Sequence, residues 1–125
     1  IGDTTPEKRR LVEVARECVM KGLEEVRPWG FLGDMSHAVH DHAKANGYSI
    51  VREIGGHGVG LEFHEDPWVG YTGKRGTDML LVPGMVFTIE PGIYTPTQGG
   101  IRLENDYLVT KQGFERLTNS RLIRL

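Results

Sequence analysis

The spacing of apolar residues changes once along this chain, close to Gly47. Before that point apolar residues recur every three or four positions, which is the period of an amphipathic helix. After it, β-branched and aromatic residues form short runs separated by glycine and proline, which is typical of strands. Because the helices come first and the strands second, the sequence predicts an α+β fold in which a two-helix hairpin packs on an antiparallel sheet.

The first part of the chain divides into two predicted helices. The first spans residues 6–26, since a threonine cap and a proline open it and Pro28 follows it. The second begins near Asp34 and stops at Gly47, a residue suited to a left-handed helix end. The short turn between them favours an antiparallel pair. The buried face of the second helix is predicted to carry Met35, Ala38, Val39 and Ala43.

Three strands are predicted after Gly47, over residues 48–53, 86–94 and 101–110. Side chains alternate between the two faces of a strand, so Glu90 lies on one face of its strand with Thr88. Arg102 and Glu104 likewise share a face. If these two strands pair, Glu90, Arg102 and Glu104 come together on one side of the sheet. The apolar residues 79–82 are predicted to be buried ahead of the next turn.

Length and composition indicate one domain over residues 1–125. At 125 residues, a chain buries roughly two thirds of its unfolded surface, enough for one core. A net charge of -2 gives no broad basic surface, so neither nucleic acid nor a membrane is an expected partner. Cys18 is the only cysteine, which favours a reducing compartment and a cytoplasmic location. The first residues carry no initiator Met and are expected to follow a cut inside a longer chain.

Two histidines and two glutamates point to a metal site. His57 and His64 lie seven residues apart in a glycine-rich segment, while Glu90 and Glu104 follow on predicted strands. Imidazole and carboxylate are the ligands that borderline and hard divalent ions prefer. The helical HExxH zinc motif is absent, since no histidine occupies the fourth position after His64. The predicted site must therefore be assembled from separate strands.

Three motifs in order along the chain resemble one family. They are residues 51–67, which include Gly56-His57-Gly58 and Phe63-His64, residues 83–91, which end in Glu90-Pro91, and Arg102-Leu103-Glu104. The pattern resembles the methionine aminopeptidase and prolidase superfamily, the pita-bread dinuclear metallopeptidases. The resemblance implies that the chain is the C-terminal half of a pita-bread catalytic domain and that its partner is a peptide substrate.

The same resemblance implies roles for individual residues. His57 and Glu90 would bind one divalent ion, and Glu104 would bridge two. His64 would contact the scissile peptide and help to stabilise the tetrahedral intermediate. Arg102 would orient the carboxylate ligands, and Phe63 would line the pocket for the first side chain of the substrate.

Two further ligands of the family are not matched. The complete site uses two divalent ions (Mn, Co, Fe or Zn) and two aspartates from the N-terminal half of the fold. Asp3 lies before the first helix and Asp34 at the start of the second, so neither replaces them. We expect the 125-residue chain to bind at most one ion and to be inactive by itself.

Several functions are compatible with this sequence. An exopeptidase of the methionine aminopeptidase type, acting on peptides or nascent proteins, ranks first because more of the chain resembles it. Glu104 follows Glu90 by only 14 positions, and the segments 91–94 and 99–102 resemble Xaa-Pro peptidases, which rank second. A non-catalytic, peptide-binding pita-bread relative is the alternative from another class. Self-association of the half-fold through its open sheet edges is a further expectation.

Other residues that could attract a functional reading are interpreted as structural. In the second helix His37, His40 and His42 do not all share one face and are predicted to be surface residues. Trp29 and Trp68 are predicted to be packing residues rather than a recognition platform. No chemical role is assigned to the acidic residues Glu62, Glu65 and Asp66.

Overall fold

A computed structural model describes residues 3–119 of the chain. Two helices come first, α1 (Pro6–Leu23) and α2 (Leu32–Ala45). The strands that follow within the described residues are β1 (Gly56–Gly58), β2 (Glu65–Val69), β3 (Val86–Ile89), β4 (Gly92–Thr95), β5 (Gly99–Arg102), β6 (Asn105–Val109) and β7 (Phe114–Arg116). Five of them form an antiparallel sheet in the order β2-β1-β3-β6-β7, and β4 pairs with β5 separately. The predicted order of helices and then strands is confirmed.

The two helices form the predicted antiparallel hairpin. Gly22 of α1 lies against α2 so closely that an added Cβ would be 2.7 Å from the Val39 side chain. Towards the other end of the hairpin, the Arg10 guanidinium donates a 2.6 Å hydrogen bond to the Asn46 side chain. The small residue at position 22 therefore sets a close approach of the helices. The two helices contribute the following buried residues to the core: Leu11, Val14, Ala15, Cys18, Val19, Met35 and Val39.

Both helices differ slightly from their predicted bounds. The helix α1 ends at Leu23 rather than at residue 26, because the next residues form a tighter turn in which the Val26 N–H donates to the Leu23 carbonyl. The helix α2 begins at Leu32, two residues before Asp34. Asp34 does not cap it, since its carboxylate accepts from the Gly76 N–H at 2.8 Å. Ala38 is half-buried, not buried as predicted.

The predicted strands are shorter and more divided than expected. Residues 48–53 form no strand, and only Ile50 makes an isolated bridge, to Ile93. The segment 86–94 is split into β3 and β4, and the segment 101–110 into β5 and β6. Pro91 lies at the first interruption, where it has no N–H to donate to a neighbouring strand. The pairing of the two segments is confirmed.

One register runs through both halves of this long hairpin. In the first half Ile89 pairs with Asn105, and in the second Gly92 pairs with Arg102. Extending the register across the interruption places Glu90 opposite Glu104. The hairpin thus leaves the ladder at the point where its two acidic residues lie opposite each other.

The prediction for residues 79–82 is wrong for three of the four. Leu81 is fully buried, and its backbone forms hydrogen bonds with Trp29 and Gly30 in the connection between the helices. Met79, Leu80 and Val82 remain 40–43% exposed. Trp29 is 64% exposed and is not the packing residue that was predicted. In the part of the chain that the structure describes, no helix has both the length and the apolar character needed to cross a bilayer.

We expect Cys18 to be unreactive in the folded chain. Its thiol is fully buried, and burial raises the pKa of Cys18 from 9.0 to about 12. At pH 8 the thiolate fraction is then roughly 1000-fold lower than in an unfolded chain. The unfolded thiol ionises first as the pH rises, so stability is lost between about pH 9 and pH 12. Alkylation with iodoacetamide should be fast only in denaturant. Fast labelling of the native chain at pH 8 would contradict this burial.

Candidate metal centre

Three side chains from separate segments converge beside the interrupted hairpin. His57 lies on β1 between β2 and β3, while Glu90 and Glu104 follow β3 and β5. Each offers one ligand atom, and these atoms all lie within 4.8 Å of one another. In residues 3–119 this is the one group of His, Cys, Asp or Glu side chains with that geometry. The chain therefore brings together the three residues that were predicted as metal ligands.

The glycines that flank His57 allow its strand to fit between two neighbours. A Cβ at Gly56 would collide with the Thr88 carbonyl of β3, and one at Gly58 with the Asp66 carbonyl of β2. Only glycine permits backbone approach of this kind. The glycine-rich pattern of the sequence thus serves close strand packing on both sides of the histidine.

The orientation of the His57 ring suits a metal ligand. Its Nδ1 lies 2.9 Å from the Gly58 carbonyl oxygen, and its Nε2 lies 3.5 Å from a carboxylate oxygen of Glu90. Because a carbonyl can only accept, Nδ1 carries the hydrogen and donates it. In the neutral ring Nε2 then carries the free lone pair, which is directed towards the carboxylates. In a metal-binding histidine, a hydrogen bond donated by the ring nitrogen that does not bind the metal typically fixes the orientation of the ring.

Glu90 is held by a buried polar network. Its side chain is only 5% exposed and forms an ion pair with Arg102. The Thr88 hydroxyl donates a 2.8 Å hydrogen bond to the carboxylate and accepts one of 3.0 Å from the His57 N–H. A buried carboxylate needs such partners, since an unpaired charge in the interior is costly. Glu90 is therefore not a solvated carboxylate on an edge strand.

Tyr71 completes the network and was missed in the sequence. It is 2% exposed, and its hydroxyl oxygen accepts the Glu90 N–H at 2.6 Å. Burial raises the pKa of the Tyr71 hydroxyl well above its usual value, so the group stays neutral. The segment around Tyr71 carries no motif that could have revealed this contact. Thr88 was placed on the correct strand face, but its link between His57 and Glu90 was not predicted.

The three ligand candidates open onto a cleft of about 890 Å³. The His64 ring lies on one side, with its centroid 4.2 Å from that of His57. The Phe63 ring contacts His64 edge-on at 4.5 Å and is 75% exposed. Both residues line the cleft, as do Arg102 and Glu104. The residues that were assigned to a site from the sequence therefore all line this one cleft.

Side chains that were set aside in the sequence lie elsewhere or serve other contacts. His37 and His40 interact with Asp41 at 3.1 and 3.5 Å, and His42 lies 2.8 Å from Glu17 of α1. They are half-buried, because α2 packs against α1. Trp68, however, is 54% exposed and lines the cleft, so its interpretation as a packing residue is wrong.

The fold and this site define a class of metallopeptidase. The model of the metallopeptidase family M24 matches residues 1–111, and the chain belongs to that family. The predicted pita-bread relationship is confirmed by solved structures. The methionine aminopeptidase of Thermotoga maritima superposes with a TM-score of 0.88 at 31% identity, over 96% of this chain and 55% of that chain. The prolidase of Pyrococcus furiosus superposes with a TM-score of 0.84 at 34% identity, over 98% of this chain and 35% of that one.

Sequence relatives come from both branches of the family. Methionine aminopeptidase A of Synechocystis is 41% identical over 90% of this chain and 45% of its own length. The Xaa-Pro dipeptidase of Pyrococcus furiosus is 34% identical over 96% of this chain and 34% of its own length. The chain spans about half the length of the methionine aminopeptidases that it matches, so the similarity concerns one part of those enzymes.

Proposed function

We propose that this chain supplies half of the active site of a metal-dependent exopeptidase that removes an N-terminal residue from peptides or nascent proteins. The observation that carries the proposal is the convergence of His57, Glu90 and Glu104 within 4.8 Å beside an open cleft. One imidazole and two carboxylates fit Mn, Co, Fe or Zn by ligand type. A cytoplasmic location is part of the proposal.

Each residue of the site has a proposed task. His57, through Nε2, and Glu90 would hold one ion, and Glu104 would reach both ions of a complete site. A bound divalent ion polarises a carbonyl and lowers the pKa of bound water to about 7. Arg102, through an ion pair, and Thr88, through a hydrogen bond, fix the direction of the Glu90 carboxylate. His64, exposed beside His57, would donate a hydrogen bond to the scissile peptide, and Phe63 would contact the first side chain.

The second ion needs ligands that the described residues do not provide. The group around His57 contains no aspartate, and Asp34 is engaged with Gly76. We therefore propose that a complete site takes two aspartates from another segment, in keeping with relatives about twice as long. By itself the chain should bind one ion and turn over peptides at a rate near zero.

The proposal is tested by metal binding and by a fusion. Calorimetric titration with Mn(II) or Co(II) should give one ion per chain. Neither the chain alone nor its mixture with metal should hydrolyse a methionyl peptide, whereas fusion behind the N-terminal half of the Synechocystis enzyme should give metal-dependent release of the first residue. Failure to bind any ion would overturn the exopeptidase function. Efficient turnover by the unfused chain would overturn the need for two aspartates.

Xaa-Pro hydrolysis is the second candidate. The short hairpin of β4 and β5 carries the segment that resembles Xaa-Pro peptidases, and the prolidase of Pyrococcus furiosus matches 98% of the chain in structure. The same fusion, assayed with Xaa-Pro dipeptides and methionyl peptides side by side, separates the two activities.

A further inference from the structure

The strands β1 and β3 form a regular ladder at only one end. Gly58 pairs with Phe87, and the Val59 N–H donates a 3.1 Å hydrogen bond to the Val86 carbonyl. No further residue pair joins these two strands within the described part of the chain. The interrupted end is the one that carries His57, so it faces the metal centre.

Continued in the same register, the ladder would use two further backbone carbonyl groups as acceptors. Bonded and non-bonded pairs alternate along an antiparallel ladder, so the His57 N–H would donate to the Thr88 carbonyl. The Glu90 N–H would likewise donate to the Gly55 carbonyl. Both N–H groups instead have a side-chain acceptor. The Thr88 hydroxyl accepts the His57 N–H at 3.0 Å, and the Tyr71 hydroxyl accepts the Glu90 N–H at 2.6 Å.

The two hydroxyl groups fill the space beside Gly56, between β1 and β3. A Cβ at Gly56 would lie 2.7 Å from the Thr88 hydroxyl oxygen and 3.0 Å from that of Tyr71. The Thr88 hydroxyl also bonds the Glu90 carboxylate directly, whereas Tyr71 contacts Glu90 through the backbone N–H. Removing the Tyr71 hydroxyl therefore perturbs the backbone of Glu90 without deleting a contact of its carboxylate.

We infer that Tyr71 is a positioning residue of the metal centre, whose hydroxyl holds the Glu90 backbone away from β1 and so sets the carboxylate relative to the His57 ring. The inference rests on the proposed function and adds a residue to its site. A buried N–H without an acceptor is costly, so loss of the hydroxyl favours a shift of Glu90 towards the Gly55 carbonyl, the next acceptor in register. That shift changes the 3.5 Å separation between His57 Nε2 and the Glu90 carboxylate and weakens their joint binding of one ion.

Tyr71→Phe tests the inference, because it removes the hydroxyl and keeps the ring. Its affinity for Mn(II), measured by calorimetry, should fall about 10- to 100-fold, the usual effect of losing a group that orients a metal ligand. In ¹⁵N NMR spectra of the metal-free chain, the Glu90 amide proton should shift upfield, because it loses a short hydrogen bond. The dispersion of the same spectra shows whether the variant is folded.

Tyr107→Phe is the matched control. Tyr107 is also 2% exposed, but it lies on β6 and does not line the cleft. The variant loses a buried hydroxyl and should also lower the midpoint of urea unfolding. It should nevertheless bind Mn(II) as the unmodified chain does and leave the Glu90 amide signal in place.

Four results would each overturn the inference: unchanged Mn(II) affinity of Tyr71→Phe, an unshifted Glu90 amide, an equal loss of affinity in both variants, or loss of the fold in Tyr71→Phe. An unmodified chain that binds no ion would overturn the proposed function and this inference together. A chain that binds its ion equally well with and without the Tyr71 hydroxyl would retain the proposed function and lose only the positioning role.

Discussion

Glu104→Gln is expected to weaken binding of the first divalent ion by about 100-fold or more, because it removes one of the three proposed ligands, which converge within 4.8 Å. Loss of a residue that only orients a ligand typically costs 10- to 100-fold, so loss of a ligand should lie at or above that range. The side chain is exposed, and no hydrogen bond or ion pair of the described residues depends on it. The thermal unfolding of the metal-free chain should therefore not change. Calorimetry with Mn(II) measures the affinity.

The matched control is Glu115→Gln, the same substitution at an exposed position on β7. It should bind Mn(II) as the unmodified chain does. Equal affinity of the two variants would show that Glu104 is not a ligand, and a parallel loss in both would indicate a general effect of charge. His57→Ala offers an independent check, because it removes the only imidazole of the group.

Phe87→Ala is expected to lower the free energy of unfolding by about 3–5 kcal/mol, the usual cost of deleting a large buried side chain. Phe87 is fully buried on β3, where it pairs with Gly58 on one side and with Tyr107 on the other. Since a domain has a total stability of about 5–15 kcal/mol, the variant should unfold at much lower denaturant concentration. Urea unfolding followed by circular dichroism measures the change.

Phe63→Ala provides the matched control for stability. It is the same substitution at a residue that is 75% exposed, and it should change the free energy of unfolding by less than about 1 kcal/mol. A similar loss in both variants would contradict the assignment of Phe87 to the core and of Phe63 to the cleft wall.

Local patterns in the sequence were sufficient for the helices and for the side of the sheet on which the acidic ligand candidates lie. The capping threonine and Pro6 placed the start of α1 correctly, since capping depends on neighbouring residues only. Alternation placed Glu90, Arg102 and Glu104 on one side of paired strands, and the structure brings them together. The metal roles of His57, Glu90 and Glu104 and the catalytic role of His64 stay predictions until binding and turnover are measured.

Long-range contacts decided what the sequence could not. The register that sets Glu90 and Glu104 opposite each other exists only in the folded hairpin, because it depends on how two separate segments pair. The contact of Tyr71 with the Glu90 backbone joins residues 19 positions apart, so no local pattern reports it.

Trp68 shows the same division between sequence and structure. Its apolar ring predicted packing, but pairing of β1 with β2 turned the ring into the cleft beside His57. The sequence by itself determined the types of side chain, their periodicity and hence the layers of the fold. Only the tertiary structure decided which of those side chains meet and which remain open to solvent, because burial and distance depend on segments that are remote along the chain.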